Sequence, residues 1–283
     1  MASTPTTMRA VQLRSYDGKP ESITVVELPM LRPGPGQVLV RVAASPINPS
    51  DLMFIRGLYG FKKPLPAVPG FEGSGTVVEA GGGILARLLK GRRVACHAAD
   101  PNITGGMWAE YLVTSAQSCV PLRKQVEMEQ GATMLVNSLT AWALMDEVRR
   151  GRHRAVVQTA AASALGRMVV RLAQKFSIPV INVVRRAEQV NLLHEMGAEH
   201  VLNSSDPGFD ASLRDLCGRL GATIRGRQNV RTRITRATSG EPFAGLRRAV
   251  TRSEPGRPGK RAFMKWVEGP PESTWLYSRL TGN

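Results

Sequence analysis

The chain has 283 residues, 42% of them hydrophobic, which is enough to bury a large core and to build two domains. It has no run of about 18 apolar residues, so no membrane-spanning helix is expected. The formal charge of +16 points at first to nucleic acid, but residues 225–283 hold 13 Lys+Arg against 4 Asp+Glu, while residues 1–224 hold 25 against 18. The basic character is therefore concentrated in the last fifth of the chain.

Met1–Thr7 is too short for a secretory signal or transit peptide, and a strand-like segment starts at Met8, so the cytosol is the expected compartment. Short β-type segments follow at Arg9–Leu13, Ile23–Glu27, Val38–Ala43, Gly75–Glu79, Arg93–Ala95 and Ala109–Val113. Clusters such as Arg32-Pro33-Gly34-Pro35-Gly36 and Lys63-Pro64-Leu65-Pro66 separate them. Residues 8–126 thus read as an all-β module of barrel type. From Glu127 helices and strands alternate, with helices at Glu129–Leu135, Ser138–Val148, Leu165–Phe176, Ala187–Met196 and Phe209–Leu220. Strands at Ala155–Thr159, Val180–Val184 and His200–Leu202 lie between them. This alternation predicts βαβ units, a parallel sheet and a doubly wound nucleotide fold over residues 127–224. Past Ile224 the periodicity stops. Residues 225–283 read as a basic, Arg/Gly/Pro-rich tail, disordered or poorly packed, with only Phe263–Val267 and Thr274–Leu280 apolar enough to dock.

After the strand Ala155–Thr159 comes Ala160-Ala161-Ala162-Ser163-Ala164-Leu165-Gly166 and then an apolar helix. A tight turn of small residues opening a helix lets backbone N–H groups meet a pyrophosphate, which makes Ala162, Ser163, Ala164, Leu165 and Gly166 candidate dinucleotide contacts. A packed turn with no ligand is the plain alternative. The next strand ends in Arg185-Arg186, where an NAD site carries Asp or Glu for the ribose 2′-hydroxyl and an arginine accommodates the 2′-phosphate of NADP. NADPH is the expected cofactor; the alternative is a solvated, basic helix start. Cys96, Cys119 and Cys217 form neither a disulfide framework nor a Cys-x-x-Cys pair and read as buried thiols. The four histidines, His97, His153, His194 and His200, have no ligand spacing.

Pro69-Gly70-Phe71-Glu72-Gly73-Ser74-Gly75-Thr76-Val77 resembles the signature of the medium-chain dehydrogenase/reductase superfamily. In that superfamily the zinc-using members carry Gly-His-Glu where this chain has Gly70-Phe71-Glu72. A phenyl ring offers zinc no lone pair. Pro46 and Asn48 likewise stand where a cysteine ligand would be, so no metal is expected. The resemblance extends over Met8–Ile224 and is greatest to quinone reductases and 2-enoyl thioester reductases. It implies a GroES-like β-barrel domain followed by a Rossmann domain that is truncated here.

In the enoyl thioester reductases an Asn-Pro-Ser-Asp element precedes Gly-x-Tyr-Gly, matched by Asn48-Pro49-Ser50-Asp51 and Gly57-Leu58-Tyr59-Gly60. Tyr59 is the candidate catalytic group, able to donate a hydrogen bond or a proton to an enolate oxygen; its alternative is the anchor of a surface loop. Asn48, Asp51 and Thr140 fall on the substrate and nicotinamide side. For Thr140 the competing reading is a plain helix N-cap at Ser138 or Asn137. Trp108, in a Gly-x-Trp-x-Glu-Tyr stretch, reads as packing. Asn203-Ser204 stands where related reductases often have Tyr or Lys near the adenosine phosphate.

The resemblance implies reduction of an enoyl thioester or a quinone by NADPH, with a small molecule as partner. Past Ile224 the family would add two strand–helix units. This chain shows instead a stretch of unrelated character, as a shifted reading frame would produce. Two alternatives follow: an impaired, NADP-binding remnant, and nucleic-acid binding through the tail, which lacks interleaved aromatic residues. The resemblance implies a homodimer paired through a late strand, and this chain shows no such strand.

Overall fold

The computed structural model describes residues 5–98, 105–226 and 235–236. They divide into two compact units between Val136 and Asn137, ten residues beyond the boundary read from the sequence. Apart from residues 225–226 and 235–236, the reading of 225–283 as a tail lies outside the described residues, as do Phe263–Val267 and Thr274–Leu280. Among the described residues no helix is long and apolar enough to cross a membrane.

The first unit opens with β1 (Thr7–Leu13) and β2 (Ile23–Pro29), an antiparallel ribbon in register from Thr7 opposite Pro29 to Leu13 opposite Ile23. Then come β3 (Gln37–Ala44), α1 (Pro49–Ile55), β4 (Glu72–Ala80), α2 (Ile84–Leu89), β5 (Arg93–His97), β6 (Tyr111–Ser115), β7 (Cys119–Pro121) and α3 (Met128–Ala132). The five later strands form one antiparallel sheet in the order β6-β3-β4-β5-β7. Among the described residues the ladders do not close into a continuous barrel. The ribbon is joined to the rest by isolated bridges at Ala10–Ala109 and Leu13–Ala67.

Those bridges explain a shift in register. The sequence puts a strand at Ala109–Val113, but Trp108 O accepts from Val11 N at 2.8 Å and Glu110 N donates to Arg9 O at 3.0 Å. Residues 108–110 are engaged by β1, and the register with β3 starts at Tyr111, with Glu110 O also accepting from Val42 N at 2.9 Å. α1 and α2 were not read from the sequence. Both are under eight residues, too short for an apolar period of 3.6 to show.

The second unit carries α4 (Val136–Arg150), whose first residue lies at the boundary, followed by β8 (Ala155–Thr159), α5 (Ala164–Lys175), β9 (Val180–Val184), α6 (Ala187–Glu195), β10 (His200–Asn203), α7 (Phe209–Leu220), β11 (Ala222–Gly226) and β12 (Thr235–Arg236). The sheet order is β10-β9-β8-β11-β12, parallel except for the antiparallel β11–β12 pair. Both faces are covered, as the unbroken apolar strands require. Val156 and Val180 pack against Ala141, Met145 and Val148 of α4 and Val169 of α5. On the opposite face Val157, Ile181 and Val183 pack against Phe209, Leu213 and Leu216 of α7. β11 runs two residues past Ile224, pairing Arg225 with Val157 and Gly226 with Gln158. The order of strands reverses between β8 and β11, and the carboxyl ends of the strands there form the crevice in which such folds bind their ligands.

Candidate functional site

In the first unit the Asn48–Asp51 element is the start of α1. Pro49 occupies its first turn, where a missing N–H costs nothing, and Asp51 reaches back to the helix start. Asp51 is fully buried; its Oδ2 accepts the Asn48 N–H at 2.7 Å and its Oδ1 the Phe71 N–H at 3.1 Å. Burial raises its pKa to about 7, further raised by the charge of Glu72 and opposed by the two N–H donors. Asn48 spends its side-chain amide on Glu72, Nδ2 to Oε1 at 2.8 Å. Glu72 Oε2 accepts from Leu135 N at 3.0 Å and Val136 N at 2.8 Å, which caps the N-terminus of α4 with a carboxylate. The start of α1, the signature strand and the Leu135–Val136 backbone are thus tied by two buried carboxylates.

Phe71 sits at the centre of an aromatic cluster, with ring centroids 5.3 Å from Phe54, 4.8 Å from Tyr59 and 5.6 Å from Phe61. Tyr59 also meets Phe61 edge-on at 5.2 Å and is half-buried. Desolvation raises the Tyr59 phenol above its ordinary value and the Asp51 charge adds to this, so the hydroxyl stays protonated and can donate. Gly70 has φ of +92°, and a Cβ there would lie 2.5 Å from Trp108 Cδ1. The signature therefore needs glycine both for its backbone angle and for the close approach of the indole. Trp108 is buried and packs in this cluster, as expected of it.

In the second unit the turn after β8 holds Ala160 at φ +53°, and Ser163 caps α5, its Oγ accepting from Gly166 N at 3.1 Å. A Cβ on Gly166 would lie 2.3 Å from Ala161 O, so helix and turn approach as closely as a phosphate-binding turn demands. Ala162 is half-buried and Ala164 exposed; Leu165, half-buried, packs against the core beneath α5. Gln158 and Asn182, opposite each other on β8 and β9, form a buried amide pair at 2.6 Å; Gln158 Nε2 also donates to Gly166 O at 3.2 Å. Arg185 and Arg186 follow β9 with exposed side chains. Arg185 O accepts from Ser205 Oγ at 3.0 Å, and Val184 O from Ser204 N at 2.8 Å, drawing the segment after β10 to the same edge. Small-residue turn, arginine pair and two serines meet at the carboxyl ends of β8, β9 and β10.

A family model, the alcohol dehydrogenase GroES-like domain, matches residues 34–124. A solved structure from Mesorhizobium loti, named provisionally as an NADPH:quinone reductase, is 35% identical with a TM-score of 0.74, over 88% of this chain and 72% of that one. The chain belongs to the zinc-independent medium-chain dehydrogenase/reductase superfamily. A mycobacterial member solved in complex with NADPH is 29% identical with a TM-score of 0.64, over 75% of this chain and 63% of that one. Curated members named mitochondrial enoyl-[acyl-carrier-protein] reductase include one from Caenorhabditis elegans, 32% identical over 65% of this chain and 53% of its own length. The one from Arabidopsis thaliana is 34% identical over 66% and 50%. The chain spans about half the length of these curated relatives.

Within this superfamily member the residues read from the sequence fall into two groups by unit. Asn48, Asp51 and Tyr59 come together around Phe71 in the first. The turn residues and both arginines share one sheet edge in the second. Thr140 lies half-buried on α4, four residues into the helix. Neither Asn137 nor Ser138 caps that helix. It begins at Val136, its first N–H groups go to Glu72, and Ser138 Oγ donates to Met168 Sδ at 3.7 Å. Glu72 and Ser205 carry no role in the sequence reading. The acidic residue at the signature's fourth position was the only signal for Glu72, and nothing local marked Ser205.

Proposed function

We propose that the chain is a reductase that uses NADPH without zinc to reduce the carbon–carbon double bond of an enoyl thioester, or a quinone. The observation that carries this is the Arg185-Arg186 pair, which fills the two positions between β9 and α6 where an NAD site carries Asp or Glu, with Ser205 joined to the Arg185 backbone. A 2′-phosphate is the anion this set of donors suits, each arginine offering a planar fork. When bound, NADPH supplies hydride. Tyr59, held protonated, donates to the acceptor's carbonyl oxygen as negative charge grows there. Phe71 and Phe61 fix the phenol's plane, and Asn48 and Asp51 hold α1 behind it.

A second reading is a protein that binds NADPH and does not turn it over. Among the described residues the sheet continues past β11 with the antiparallel β12. The nicotinamide half of a doubly wound fold is ordinarily built from further parallel strands. One experiment separates the readings. NADPH and NADH binding are measured by fluorescence, and NADPH oxidation is followed with a crotonyl thioester and with a quinone. Tight NADPH binding with oxidation supports the reductase, and binding without oxidation selects the second reading. Equal affinity for NADPH and NADH, or none for either, overturns both.

A further inference from the structure

Cys96 on β5 and Cys119 on β7 face each other directly across an antiparallel pair. Opposed residues of such a pair point to the same face, with Cα atoms about 4.5 or 5.5 Å apart, and both spacings fall within the roughly 4.4–6.8 Å that a disulfide spans. Both side chains belong to one buried cluster, together with Met107 and Leu112. Met107 Sδ lies 3.9 Å from Cys96 Sγ. We propose that Cys96 and Cys119 form a reversible cross-strand disulfide in response to a peroxide.

The two thiols are not equivalent. Cys96 is wholly buried, whereas Cys119 is 8% exposed and begins a three-residue strand at the sheet edge, where local opening is least costly. Cys119, the more exposed thiol, is therefore the nucleophile; the adjacent Cys96 thiol lowers its pKa, while Cys119 and burial raise that of Cys96. Its thiolate attacks a peroxide oxygen; the O–O bond breaks, an alcohol or water leaves with a proton from solvent, and Cys119 becomes a sulfenic acid. Cys96 sulfur then attacks Cys119 sulfur, the S–O bond breaks and water leaves with the Cys96 proton. Two electrons pass from the thiols to the peroxide. Cys217, on α7 in the other unit, takes no part.

The test uses the full chain and does not depend on any enzymatic activity. It is exposed to a few equivalents of hydrogen peroxide, quenched in acid, unfolded in neutral denaturant containing an excess of alkylating agent, and mapped by mass spectrometry. Alkylatable thiols are expected to fall from three to one. A peptide pair joined through Cys96 and Cys119 appears with a loss of about 2 Da, and dithiothreitol reverses it. Cys217→Ser gives the same result, and Cys119→Ser leaves Cys96 alkylatable. The proposal is overturned if the wild-type chain keeps all three thiols, if Cys119 proceeds to sulfinic acid with Cys96 still reduced, or if the cross-link involves Cys217.

Discussion

Asp51 Oδ1 accepts the Phe71 N–H at 3.1 Å, so the residue that replaces a metal ligand in the signature is held by a buried carboxylate from the helix before it. That carboxylate has a pKa of about 7 against an ordinary 3.8. The folded state therefore binds a proton more tightly than the unfolded one. The stability it contributes is complete below about pH 4 and is lost as pH rises through 7, on the order of 4 kcal/mol across the whole interval. Asp51→Asn removes this dependence. The amide turns an N–H toward one of the two backbone donors, costing about 1–3 kcal/mol at pH 5. The melting-temperature gap between wild type and variant is expected to close or invert between pH 5 and pH 8. Parallel profiles would refute the assignment.

Glu72 accepts three hydrogen bonds, from Asn48 Nδ2, Leu135 N and Val136 N. Glu72→Ala removes the acceptor of three hydrogen bonds from a buried site and should cost about 3–5 kcal/mol in denaturant unfolding. Glu72→Gln retains an oxygen for the helix start and removes the negative charge beside Asp51. The milder variant should lower the Asp51 carboxyl pKa, readable by carbon-detected NMR titration. An unchanged Asp51 titration in that variant would show that burial alone sets the value.

Phe71 touches Phe54, Tyr59 and Phe61 and is 2% exposed. Phe71→Ala empties the middle of that cluster and should cost about 3–5 kcal/mol, whereas Phe71→Leu should cost less than half as much. The near-ultraviolet circular dichroism of the tyrosine should weaken in the alanine variant, because the Tyr59 ring loses the tilted ring 4.8 Å away. A loss under about 1 kcal/mol for Phe71→Ala would mean the ring does not hold the cluster together.

How far such relations could be read from sequence depends on how local they are. The βαβ alternation, the glycine-rich signature and the arginine pair are local patterns, and the fold delivers them at one sheet edge or one helix start. The start of α4 was misread because its cap is Glu72, 64 residues earlier than Val136, and no short-range capping motif encodes that bond. Cys96 and Cys119 were read as unrelated thiols for the same reason. Their pairing exists only in the β5–β7 register, which no spacing rule in the sequence specifies. Tyr59 stands between these cases, since its motif is local but the aromatic packing that holds it is not.

Two glycines make a contrasting pair in the second unit. A Cβ at Gly166 would meet Ala161 O at 2.3 Å and Ala161 C at 2.6 Å, both backbone atoms that cannot rotate away. Gly218 lies within α7 and has nothing within 4 Å of a new Cβ. Gly166→Ala must push the start of α5 off the turn after β8, at a cost of about 1–3 kcal/mol, and should weaken NADPH binding at least tenfold. Gly218→Ala gains helix propensity at an exposed site and should stabilise the chain by up to about 1 kcal/mol with NADPH affinity unchanged. Thermal melts and fluorescence titrations of the two variants read both quantities. Were Gly166→Ala to bind NADPH like the wild type, the turn after β8 would not be where the cofactor's phosphates lie, and the candidate site would have to be sought away from this edge of the sheet.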